Sequence, residues 1–126
     1  MSILDPADDR TAIREKLENG ALLVASLCSQ RCHKCEDWWK DFADVAARRE
    51  EDCFVWIDVD DHPDLTAEVP SLATFPVLLI QGHGASPRHC ATIEPRQEVL
   101  EALLDDDASP GNIPDPCIRE FLLDEA

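Results

Sequence analysis

Apolar runs separated by amphipathic stretches predict the strands of this chain. Residues 21–27 (ALLVASL), 53–59 (CFVWIDV) and 76–80 (PVLLI) contain few polar positions, which is typical of strands that helices cover on both faces. Residues 88–93 alternate between polar and apolar side chains, and this alternation predicts an antiparallel neighbour. We therefore expect a central mixed sheet of about four strands.

The stretches between these runs have helical spacing. A first helix can start at Asp5-Pro6 and end at Asn19-Gly20. Residues 32–49 carry a longer apolar stripe with charged residues outside it, residues 60–70 predict a short helix, and residues 95–104 predict another. The expected order is α-β-α-β-α-β-β-α, an α/β fold.

The last part of the chain differs in composition from the rest. We expect residues 1–104 to form one domain and residues 105–126 to form an acidic linker followed by a C-terminal helical extension. Ile118, Phe121 and Leu122 share one side of that last helix. A helix this short is marginal in water, so it must pack on the domain or on a partner subunit to persist.

The net charge of the chain limits the kinds of partner that we expect. The 126 residues include 27 acidic residues against 11 Lys and Arg, and the net charge is −16. Such a surface repels nucleic acid and anionic membranes, so we expect neither as a partner. The beginning MSILDPADDR lacks the pattern of a signal peptide, and we expect a cytoplasmic monomer. Six cysteines in a cytoplasmic chain are expected to be reduced, catalytic or metal-bound.

A C-x-x-C motif, Cys32-His33-Lys34-Cys35, follows the first apolar run and opens the long amphipathic stretch. Two sulfurs one helical turn apart can form a reversible disulfide, and the positive end of a helix stabilises the first thiolate. We expect Cys32 to be the exposed nucleophile and Cys35 to be the resolving thiol. The basic residues Arg31, His33 and Lys34 are expected to hold the pKa of Cys32 below the free-thiol value of about 8.5.

This arrangement resembles the thioredoxin family over roughly residues 10 to 104. The element order, the C-x-x-C motif at the start of the second helix and Phe75-Pro76 before the third strand carry the resemblance. It implies a three-layer α/β sandwich and dithiol–disulfide exchange without a bound cofactor. It also implies that Pro76 is a cis-proline facing the disulfide, and that Phe75 and Pro76 offer a backbone edge to the substrate.

Four positions depart from the family pattern. Ser26 replaces a buried Asp, Trp56 replaces the Lys that pairs with that Asp, Cys28 replaces an aromatic residue, and Lys40 replaces a Pro. The resemblance therefore implies the family's disulfide chemistry without its proton-transfer groups. Cys28 is either a candidate third redox thiol or a small buried residue that fills space.

The cysteines around the motif could also suggest a metal site. Cys28, Cys32, His33 and Cys35 are soft ligands, but Cys32 and His33 are adjacent and point apart, and no second C-x-x-C pair exists. We therefore expect no metal.

The expected function is thiol–disulfide oxidoreductase, acting on protein disulfides with electrons from a dithiol protein or glutathione. One alternative is a glutathione-dependent enzyme in which Arg31 and Lys34 bind the tripeptide. The other alternative is a redox-sensing or chaperone-like binding module.

Overall fold

The computed structural model describes residues 3–29, 33–60, 76–82, 89–105 and 118–123. Five strands form one sheet in the order β1-β3-β2-β4-β5. Their bounds are Ile3–Leu4 (β1), Leu23–Cys28 (β2), Cys53–Asp58 (β3), Val77–Gln81 (β4) and His89–Thr92 (β5). β3 runs parallel to both β1 and β2, whereas β4 is antiparallel to β2 and to β5. The central strand β2 is buried at every position, as its apolar sequence predicts.

Four helices are described around this sheet. Their bounds are Arg10–Glu18 (α1), His33–Arg48 (α2), Gln97–Asp105 (α3) and Ile118–Leu123 (α4). α2 contacts α3, and α1 contacts α4. Among the helices described, none is long and apolar enough to cross a membrane.

The predicted three-layer α/β sandwich is confirmed, with two corrections to its elements. The sheet has five strands instead of about four, because β1 pairs Ile3 and Leu4 with β3 and a two-residue strand has too few positions to show alternation. The first helix begins at Arg10 instead of Asp5. The Asp5 carboxylate accepts hydrogen bonds from the amides of Ala7 and Asp8, which closes a separate turn before the helix. The helix expected at residues 60–70 lies outside the described residues.

Aromatic packing fixes α2 on one face of the sheet. Phe42 contacts Phe54 and Trp56 at ring-centroid distances of 5.3 and 5.7 Å. In the parallel register, Phe54 pairs with Val24 and Trp56 with Ser26. Because partners in register share a face, α2 covers the side of β2 that carries Val24, Ser26 and Cys28.

The tail helix α4 packs on the domain. Ile118 and Leu122 are fully buried, and the Arg10 guanidinium donates a hydrogen bond from Nε to the carbonyl of Leu122 at 3.0 Å. This donor satisfies a carbonyl at the helix C-terminus, where a positive charge is also favourable. The side chain of Phe121 lies outside the described residues, and the division of the chain at residue 105 stays a prediction.

Candidate thiol site

Cys35 lies in the first turn of α2, at the edge of the sheet where β2 and β3 end. Its side chain is only 4% exposed, whereas His33, two residues earlier, is exposed. A buried second cysteine at the start of this helix is what a resolving thiol requires. Cys32, Arg31 and the side chain of Lys34 lie outside the described residues. The roles expected for them, and the resolving role expected for Cys35, stay predictions.

A cleft of about 530 Å³ opens beside Cys35. It lies between the first two turns of α2 and the carboxyl ends of β2 and β3, where Cys28 pairs in register with Asp58. Its lining combines two thiols, two tryptophans and several charged groups, from Cys28, Ser29, Cys35, Glu36, Trp39, Lys40, Trp56 and Asp58. The cleft therefore connects two buried sulfurs to the surface.

A buried hydrogen-bonded chain lies behind this cleft. Ser26 is fully buried, and its Oγ accepts a hydrogen bond of 2.9 Å from Nε1 of the fully buried Trp38. Ser26 Oγ also lies 3.6 Å from Cys28 Sγ. An indole nitrogen can only donate, so the hydroxyl uses a lone pair for Trp38 and keeps its own hydrogen for another acceptor. The Ser26 hydroxyl thus joins Trp38 and Cys28.

Polar contacts fix the ends of the two strands at the cleft. The Val59 amide donates to the carbonyl of Cys28 at 2.9 Å. Ser29 Oγ donates to an Asp60 carboxylate oxygen at 2.6 Å, and the Asp60 amide donates to Asp58 at 2.9 Å. These bonds hold Cys28 in place although it is the last residue of its strand.

The outer wall of the cleft is aromatic. Trp39 is 40% exposed and meets Trp56 edge to face, with 6.5 Å between ring centroids and 67° between ring planes. Trp56 stands beside Ser26 in the register, so the two residues that replace the family's Asp and Lys are neighbours. An indole at this position gives the cleft an apolar wall instead of a charged one.

Two other cysteines, Cys53 and Cys90, are buried in strands of the sheet. Cys53 is fully buried and Cys90 is 1% exposed, so both pack as small hydrophobic residues. Burial raises the pKa of the Cys53 thiol to about 11, an effect that the nearby Lys16 charge partly opposes. Cys53 therefore stays protonated at neutral pH. Cys117 lies outside the described residues.

Pro76 is buried immediately before β4. Its carbonyl accepts a hydrogen bond from the Ile93 amide at 3.0 Å. Since Val77 pairs with Leu27 in the antiparallel register, Pro76 and Cys28 are the next residues at the same sheet edge. The structure thus brings Pro76 to the thiol site, while Phe75 lies outside the described residues and the cis state of Pro76 stays a prediction.

No family model matches the chain, and no curated protein matches it. A thioredoxin from Fasciola hepatica superimposes with a TM-score of 0.59 at 21% identity, covering 83% of this chain and 97% of that one. The chain has a thioredoxin fold.

Further solved structures support this identification. The poplar thioredoxin h PtTrxh4 gives a TM-score of 0.61 at 18% identity, covering 84% of this chain and 99% of its own. A structure of ferredoxin:thioredoxin reductase in complex with thioredoxin f2 gives 0.57 at 13% identity, covering 82% and 90%. At these identities the similarity establishes the thioredoxin fold and nothing finer.

The thioredoxin fold also shows what the sequence did not reveal. Sequence reasoning located Cys35 but missed the bond between Ser26 and Trp38, although Ser26 is the only polar residue in the apolar run at residues 21–27. It also missed Trp39 as part of the site, because an aromatic residue on an apolar stripe is normally core.

Within the described ranges, no group of three or more His, Cys, Asp or Glu side chains is arranged to hold a metal ion.

Proposed function

We propose that this protein is a thiol–disulfide oxidoreductase in which Cys32 attacks the substrate and Cys35 resolves the intermediate. The observation that carries the proposal is the buried thiol of Cys35, in the first turn of α2 and on an open cleft, within a thioredoxin fold. A resolving thiol must be shielded from competing reactants yet close to the helix N-terminus, and Cys35 meets both conditions.

The reaction conserves atoms and electrons in two exchanges. The Cys32 thiolate attacks one sulfur of a substrate disulfide, so a mixed disulfide forms and the first substrate thiolate leaves. Cys35 then loses its proton and attacks Cys32 Sγ, which releases the second substrate thiolate and leaves a Cys32–Cys35 disulfide. The substrate gains two electrons, and a dithiol protein or glutathione restores the enzyme.

Deprotonation of Cys35 takes place without a buried carboxylate at position 26. The Ser26 hydroxyl is far too weak a base to accept a thiol proton at neutral pH. Glu36 and Asp58 line the same cleft as Cys35, and we propose that the proton leaves by this cleft. Because that route depends on cleft groups instead of a buried base, resolution should be slow and the mixed disulfide long-lived.

A protein disulfide is the preferred substrate. Trp39 and Trp56 give the cleft an apolar wall, and the net charge of −16 disfavours the anionic glutathione tripeptide. The ferredoxin:thioredoxin reductase complex among the similar structures also pairs this fold with a protein. We place the reaction in the cytoplasm, where thiol reductants are abundant, and expect the protein to act as a monomer.

Turnover of a protein disulfide and of a glutathione mixed disulfide tests the proposal. Cys32→Ser should abolish both activities, and Cys35→Ser should stop turnover while trapping a mixed disulfide with the protein substrate. Cys53→Ala is the matched control, since Cys53 is buried and protonated, and it should keep full activity. Full turnover in Cys32→Ser would overturn the proposal. Turnover of the glutathione substrate alone that survives Cys35→Ser would favour the glutathione-dependent enzyme, and binding of unfolded protein without turnover would favour the binding module.

A further inference from the structure

Two buried thiols share the cleft. Cys28 is 2% exposed at the end of β2, and Cys35 is 4% exposed in the first turn of α2. Both line the same space of about 530 Å³. Core sulfurs are normally surrounded by close-packed neighbours that prevent movement. Here both side chains instead border the same open space.

The surroundings of Cys28 also differ from those of an inert core cysteine. The Ser26 hydroxyl lies 3.6 Å from Cys28 Sγ, and the bond from Trp38 Nε1 to Ser26 Oγ directs the hydroxyl hydrogen away from Trp38. A hydrogen bond donated to sulfur stabilises the thiolate relative to the thiol.

We propose that Cys28 is a third redox thiol, which exchanges with the active-site disulfide to form a buried Cys28–Cys35 bond. This proposal rests on the proposed function, since the Cys32–Cys35 disulfide is its oxidant. The Cys28 thiol loses its proton and attacks Cys35 Sγ. The Cys28–Cys35 bond forms, the Cys32–Cys35 bond breaks, and Cys32 leaves as a thiolate. No electrons enter or leave the protein, so the step is an isomerisation of one disulfide.

The exchange regulates which thiol is available. After it, the oxidised bond lies in the interior, and Cys32 is again a nucleophile although the protein as a whole remains oxidised. Such a form can capture a substrate as a mixed disulfide but cannot resolve it with Cys35. Cys28 thus converts a reductase into a form that holds its substrate.

Tryptic digestion separates the pairings cleanly. Cleavage after Lys and Arg places Cys28 in residues 17–31, Cys32 in 32–34 and Cys35 in 35–40, and the three remaining cysteines fall in three other peptides. The full-length protein is oxidised in buffers of oxidised and reduced dithiothreitol, quenched in acid, alkylated and digested. We expect two cross-linked species, 32–34 with 35–40 and 17–31 with 35–40. Their ratio should not change with the buffer ratio, because an isomerisation transfers no electrons to the buffer.

Two variants make the outcome decisive. In Cys32→Ser, the pair Cys28 and Cys35 should form a disulfide directly with the buffer, within a protein that runs as a monomer on a non-reducing gel. In Cys28→Ser, the Cys32–Cys35 species should be the only one of the two. Absence of the cross-link between 17–31 and 35–40 in both the full protein and Cys32→Ser overturns the role of Cys28 and leaves the proposed function intact. Absence of the cross-link between 32–34 and 35–40, together with no turnover, overturns the proposed function itself.

Ser26 is a positioning residue in this scheme. Ser26→Ala removes the hydroxyl that can donate to a Cys28 thiolate. We expect the rate of exchange at neutral pH to fall about tenfold or more, the factor of a lost hydrogen bond to a charged sulfur. The pH midpoint of the exchange should rise, whereas the pH midpoint of Cys32 alkylation should stay unchanged. An exchange rate and pH midpoint equal to those of the parent protein would contradict the role given to Ser26.

Discussion

Replacing Ser26 with Ala removes the hydroxyl that accepts the indole hydrogen of Trp38 at 2.9 Å. Both side chains are fully buried, so water cannot take the place of the hydroxyl. A buried donor left without an acceptor costs about 1–3 kcal/mol. For a domain of this size, each kcal/mol lowers the melting temperature by roughly 3–6 °C.

Trp38→Phe tests the same bond from its other end. The phenyl ring retains much of the packing against Phe42, whose ring centroid lies 5.7 Å away, but it has no donor. In the double variant, no donor is left without an acceptor. The decrease in the free energy of unfolding should therefore be smaller than the sum of the two single decreases by about 1–2 kcal/mol.

Urea denaturation followed by far-ultraviolet circular dichroism measures this cycle, because the loss of a tryptophan does not distort that signal. The comparison requires that the free energy of unfolding falls with urea concentration at the same slope in all four proteins. Losses that add to within about 0.5 kcal/mol would refute the coupling of Ser26 to Trp38.

Three further results are expected. Burial raises the pKa of the Cys53 thiol to about 11, so between about pH 9 and pH 11 only the unfolded chain ionises this group. The free energy of unfolding should therefore fall by up to about 2–3 kcal/mol over that range. Urea denaturation of Cys53→Ala should show a smaller fall, and identical pH curves for the two proteins would contradict this. Lys34→Glu should slow iodoacetamide alkylation of Cys32 near pH 7 more than Lys40→Glu does, because Lys34 is closer to Cys32 in the sequence and a nearby negative charge opposes the thiolate. Equal alkylation rates in the two variants would argue against local charge as the cause of a lowered Cys32 pKa. Arg10→Ala should remove the bond to the end of α4 and speed amide exchange throughout that helix, while exchange in β2 stays unchanged.

The sequence determined the central part of the fold because burial on both faces leaves a readable pattern. β2, β3 and β4 appear as apolar runs, and their predicted bounds lie within two residues of the observed ones. β1 was not predicted, because a strand of two residues is too short to show an alternation of apolar and polar positions. The start of α1 was misplaced because Asp5 caps a turn with the same side-chain bonds that cap a helix.

The candidate site also combines features that the sequence predicts with features that it does not. Local spacing in the sequence predicts a dithiol of Cys32 and Cys35, because such a pair needs only neighbouring residues and a helix start. Ser26, Trp38 and Cys28 belong to a strand and a helix that meet only after folding. Only the tertiary structure decided that the Trp38 indole reaches Ser26, and that Cys28 and Cys35 face one cleft. A hydrogen bond or a shared cavity depends on how elements pack, and a linear pattern of apolar and polar positions records which faces are buried but not which side chains meet there.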